Sequence, residues 1–75
     1  MIKKFSVLIA GRHATSISLE EEFYQALIDL AAQQKIPLNT LITEIDKSRT
    51  TENLSSALRL YVLKTLQEKL KQIQF

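Results

Sequence analysis

The stretch Ala14-Thr15-Ser16-Ile17-Ser18-Leu19-Glu20-Glu21-Glu22-Phe23 changes its hydrophobic period partway through. From Ala14 to Leu19 the side chains alternate, so Thr15, Ile17 and Leu19 share one face of a strand and Ala14, Ser16 and Ser18 the other. From Glu20 onward the period is helical. Phe23, Ala26, Leu27, Leu30 and Ala31 fall at i, i+3, i+4, i+7 and i+8, one apolar stripe of a helix over about 19–34. Ser18 and Glu21 have the S-x-x-E spacing of a capping box, which would satisfy two otherwise orphaned amides. A short strand that runs straight into a helix cannot satisfy its own backbone edge. A second copy of the chain is the most economical partner, and the expectation is a homodimer built around an intermolecular ribbon.

Upstream, Phe5 to Ala10 is rich in β-formers (Phe5, Val7, Ile9), and Gly11 permits a turn or bulge before the second segment. The extended region therefore covers 1–19. A hairpin and a single bent strand both fit it, and residues 1–11 either join the ribbon or fold back over the core. Downstream, Lys35-Ile36-Pro37 breaks the helix, because the residue before proline resists the α region. Leu38, Leu41, Ile42 and Ile45 repeat the one-faced stripe and predict a second helix over 38–48, running into the polar, loop-like stretch from Asp46 to Glu52. Asn53 is placed to cap a third helix over roughly 54–73. The apolar residues of that helix (Leu54, Ala57, Leu58, Leu60, Tyr61, Val62, Leu63, Leu66, Leu70, Ile73) cover more than one stripe, as expected of a helix touching both its own core and a neighbouring subunit. The expected core and dimer residues are Ile17, Leu19, Phe23, Leu27, Leu30, Leu41, Ile42, Ile45, Leu58, Tyr61 and Val62.

The chain of 75 residues reads as one mainly α domain with a short β ribbon, at a size where a lone core is marginal and association helps. It has no cysteine and a single histidine, which leaves no thiolate or histidine cluster for a metal. No nucleophile–base pair, Gly-rich phosphate loop or metal-ligand spacing is present, so the reading is a binding protein without cofactor, not an enzyme. Glu20-Glu21-Glu22 is an acidic first turn that complements a helix dipole. The start, Met1-Ile2-Lys3-Lys4-Phe5, imitates a signal peptide, but its apolar run is too short and Arg12 follows. With no membrane-length apolar run either, the chain is expected to be cytoplasmic.

Charge is unevenly spread. Residues 1–19 carry Lys3, Lys4 and Arg12 without an acid (+3), residues 20–46 sum to −5, and residues 47–75 sum to +4, giving the net +2. A basic strand end is compatible with a polyanion partner.

The order strand, helix, short break, helix resembles the ribbon-helix-helix family, with Thr15–Phe23 similar to its strand-to-helix signature and Pro37–Ile42 to the start of its second helix. The pieces Ala10-Gly11-Arg12-His13, Thr15–Glu20 and Asn53–Arg59 resemble a small bacterial subgroup with an extra C-terminal helix. The resemblance implies a homodimer whose strands pair antiparallel in the major groove of double-stranded DNA, with adjacent dimers on paired half-sites. It implies base-facing Arg12, Ala14, Ser16 and Ser18, with a phosphate held by the amides of Leu38, Asn39 and Thr40 at a helix N-terminus. His13, on the inward parity, has a structural or phosphate-adjacent role, and Lys3 and Lys4 would add affinity by counterion release. Two departures stand out. Small side chains occupy reading positions where bidentate donors give base discrimination, and Pro37 replaces a capping hydroxyl. They motivate a second expectation, a protein-interaction module on the same scaffold that has lost specific DNA reading.

Overall fold

The computed structural model describes residues 1–9, 13–50 and 53–73. In chain order they form β1 (Ile2–Ile9), β2 (His13–Glu20), α1 (Glu21–Gln34), α2 (Leu38–Ser48) and α3 (Leu54–Ile73). Strands β1 and β2 pair antiparallel, from Ile2 opposite Glu20 to Ile9 opposite His13. Alternation then sorts the side chains. Val7, Ile9, Ile17 and Leu19 are buried on one face, and Lys4, Ser6, Leu8, Ala14, Ser16 and Ser18 are exposed on the other. The helices cover the buried face. Ile17, Leu19, Leu27, Ile42 and Leu58 are the largest fully buried side chains, and Leu30, Leu41, Ile45 and Val62 complete the core around them. Phe23 and Tyr61 are only partly buried against this cluster. The roughly 3–5 kcal/mol that truncating a fully buried Phe costs is therefore an upper bound for Phe23.

Two expectations are corrected. One edge of β2 is paired by β1 of the same chain, so the strand does not depend on a second copy for its first partner. The reason lies in Val7 and Ile9, which reach the core only if residues 2–9 fold back beside β2. The capping box does not form. Ser18 remains in β2 opposite Lys4, its side chain on the solvent face, and α1 starts two residues beyond the expected Leu19 with Glu20 as a cap whose side chain makes no bond to the helix amides. The Glu21 amide instead donates to the Met1 carbonyl at 2.9 Å, so the end of the hairpin satisfies one of the helix's orphan donors.

Helix α1 ends at Lys35, which takes the left-handed conformation (φ 59°), and the Ile36 amide bonds back to the Ala31 carbonyl at 3.0 Å. Helix α2 includes Asp46, Lys47 and Ser48 and runs to Ser48. The Ser48 hydroxyl donates to the carbonyls of Glu44 and Ile45, and Arg49 pairs with Asp46 at 2.9 Å. Asn53 caps α3, its Oδ1 accepting from the Ser56 amide at 3.2 Å. The first half of α3 buries Ala57, Leu58 and Val62, whereas Leu60, Leu63, Leu66, Leu70 and Ile73 are exposed. No helix among the described residues is long and apolar enough to cross a membrane.

Candidate nucleic-acid interface

The solvent face of the hairpin is a narrow polar strip. Ala14, Ser16 and Ser18 stand two residues apart along β2, and the register sets Leu8, Ser6 and Lys4 opposite them on β1. The groups on this strip are small or hydroxylic apart from Leu8 and the ammonium of Lys4. Lys3 is separated from Lys4 by strand parity: its ammonium lies 5.5 Å from the centroid of Tyr24 in α1, whose ring packs on Phe5 at 4.7 Å. Only Lys4 of that pair therefore shares the face of Ser16 and Ser18. Arg12 lies outside the described residues. His13 opens β2 opposite Ile9.

At the other end of the strip sits Glu20, a carboxylate that would repel a polyanion if it stood alone. Arg59 of α3 engages it at two points, Nε to Oε1 at 2.8 Å and a terminal nitrogen to Oε2 at 3.3 Å. That charge-assisted bond, helped by a backbone amide, holds the Glu20 carboxyl below its ordinary pKa range. The pair neutralises the strand end.

Among the described residues no strand pairs with the second edge of β2. Because the Glu21-to-Met1 bond continues the ladder, odd-numbered residues of β2 exchange bonds with β1. Ala14, Ser16 and Ser18 then turn their N–H and C=O groups toward the open edge. The Ser18 carbonyl accepts there from the Ser55 hydroxyl of α3 at 3.1 Å. Beside the edge runs an open groove of about 400 Å³, lined by Thr15, Ser16 and Ile17 on one side and Arg49, Leu54 and Ser55 on the other.

Helix α2 provides a separate donor group. Its first intrahelical bond runs from the Leu41 amide to the Pro37 carbonyl at 3.1 Å, so the amides of Leu38, Asn39 and Thr40 precede any acceptor within the helix. Pro37 makes no side-chain cap, and Asn39 and Thr40 are exposed. Free N–H groups with the positive end of the helix dipole behind them suit an anion.

Sequence reasoning missed Ser6, although the parity of β1 would have placed it once a hairpin was assumed. It also missed Arg59 and Ser55. These reach Glu20 and Ser18 across 39 and 37 residues of chain, and no local pattern signals such contacts. Among the described residues no group of three or more His, Cys, Asp or Glu side chains could hold a metal ion.

No curated protein and no solved structure matches the chain. A family model described as a ribbon-helix-helix domain matches residues 2–66, from the first strand into the third helix. Ribbon-helix-helix proteins generally bind DNA as dimers, and the family points to a DNA-binding regulator or a relative of one. With the strand, the two helices that follow it and the family match in agreement, the chain belongs to the ribbon-helix-helix family.

Proposed function

We propose that the protein is a DNA-binding homodimer that regulates transcription by occupying an operator, with no catalytic step. The observation that carries this reading is the hairpin's solvent face, where Ala14, Ser16 and Ser18 line β2 beside Lys4 and the Glu20 carboxylate at its end is paired with Arg59. Two copies would join their open β2 edges antiparallel about a two-fold axis near Ser16. The result is a sheet in the order β1, β2, β2, β1.

Strand spacing decides how such a sheet meets DNA. Three gaps of about 4.8 Å put the outer strands roughly 14 Å apart, wider than the major groove at about 12 Å. The two β2 strands face the groove floor and the β1 strands lie over the phosphate ribbons. Lys4 and Ser6 thus become backbone contacts, and Ser16 and Ser18 reach base edges. The amides of Leu38, Asn39 and Thr40 clamp a further phosphate. Serine hydroxyls bond to any base, so selectivity rests on Arg12 and on groove shape more than on the β2 strip.

Lys4→Ala tests the geometry. Each copy would then leave one phosphate without its ammonium, so the slope of log affinity against log salt should fall by roughly 2. Lys3→Ala, whose ammonium is held over Tyr24, should change it less. Equal effects of the two substitutions would remove β1 from the DNA face.

An interaction module is the second reading. It is favoured by the small side chains at the reading positions together with the exposed leucines of α3, and its partner would be another protein. Protein that purifies in a defined complex and binds no duplex would support it.

A further inference from the structure

The exposed apolar residues of α3 are not scattered. Leu63, Leu66, Leu70 and Ile73 follow steps of three, four and three, the spacing of a coiled-coil seam. They are 49%, 47%, 58% and 66% exposed. The same face begins against the end of β2, since Arg59, seven residues before Leu66, holds Glu20 and Ser55 holds the Ser18 carbonyl. Past that contact the seam runs on without cover. Lys69 is turned away from it toward Gln33 of α1. Lys64, Glu68 and Lys71 fall on the far side of the helix at 100° per residue. Uncharged Gln67 flanks the seam on one side, and Lys69, bonded to Gln33, flanks it on the other.

We propose that this seam is a self-association surface and that its occupant is α3 of a second copy. Area favours this occupant. A stable association buries about 1,200 Å² or more, and the outward side chains of the open β2 edge, Ala14, Ser16 and Ser18, are too small to supply it by themselves. The large apolar side chains exposed among the described residues are Met1, Ile2 and Leu8 at β1 and Leu60, Leu63, Leu66, Leu70 and Ile73 on α3. Most of the apolar area that could hold two copies together is therefore on α3. The family match ends at residue 66, and Leu70 and Ile73 extend the seam beyond it. The seam thus adds a contact to the ribbon pairing proposed above, and it does not depend on that pairing.

The test is the molar mass of the full chain by light scattering across a dilution series, for wild type, Leu66→Ala with Leu70→Ala, and Leu66→Glu with Leu70→Glu. Circular dichroism verifies that each pair keeps its helix content, and alanine, the best helix former, guards against fraying of α3. Each pair of copies loses four leucines, two from each α3, and at about tenfold apiece association should weaken on the order of 10,000-fold in the alanine pair. Its mass should fall by half where wild type holds, and the glutamate pair should dissociate throughout. Unchanged mass in both pairs would overturn the proposal. Ser16→Pro reports on the ribbon separately, because it deletes an N–H from the open β2 edge. If it changes neither mass nor DNA affinity, the ribbon reading fails while the α3 result stands.

Discussion

Glu20 and Arg59 show how one residue pair serves both the fold and the surface. Arg59 locks α3 to the end of β2 and removes a negative charge from the face that carries Lys4. Because the folded-state pKa of Glu20 is depressed, the stability it contributes is complete above the ordinary glutamate range and is lost as pH falls through the folded value. Arg59→Met should therefore flatten the acid side of the stability profile. The check is the melting temperature of both proteins from neutral pH down through the carboxylate range, where wild type loses more than the variant. A parallel decline would mean that the pair holds no charge-dependent stability. Ser18 illustrates where local reading fails at this scale. Its spacing to Glu21 satisfies the capping pattern, but pairing with Lys4 keeps it in the strand, and tertiary β pairing overrides the local helix signal.

Between elements, the joints decide the architecture. The period change after Leu19 marks the passage from β2 to α1 because a side chain repeating every second residue cannot continue on a helical face. What the period cannot encode is the partner of β2. Residues 2–9 have the same apolar alternation whether they pair within the chain or elsewhere, and only the burial of Val7 and Ile9 beside Ile17 and Leu19 resolves it. The polar stretch after Ile45 fits both the end of a helix over 38–48 and the start of a loop, and its side chains decide between them. Ser48 and Asp46 bond to nearby backbone and to Arg49, which carries α2 to Ser48 despite weak helix formers. The cap of α3 was readable because Asn53 immediately precedes an apolar-periodic run. Asn53→Ala should destabilise the protein by about 1 kcal/mol, measured by urea denaturation with unchanged m-value. A loss below a few tenths would mean that the start of α3 is held by Ser55 and Arg59 instead.

At the scale of the molecule, a core closed within one chain coexists with two surfaces on which the proposals rest, the β2 edge and the exposed α3 seam. The fold class was legible, since strand, helix, break, helix leaves few arrangements for so short a chain. The candidate site was legible only in part. Parity places Ala14, Ser16 and Ser18 on one face, but the neighbours that give the face its charge come from distant segments: Lys4 through the hairpin register and Arg59 through α3. The central claim is that this face binds duplex DNA. Fluorescence anisotropy with a duplex from upstream of the protein's own coding sequence and a scrambled duplex, between about 50 and 200 mM salt, tests it most directly. Binding to both duplexes should weaken steeply with salt, with the upstream duplex retained at the higher salt. No binding to either duplex at tens of micromolar protein, even in low salt, would contradict it, since nonspecific affinities of about 1–100 µM are the floor for such a surface.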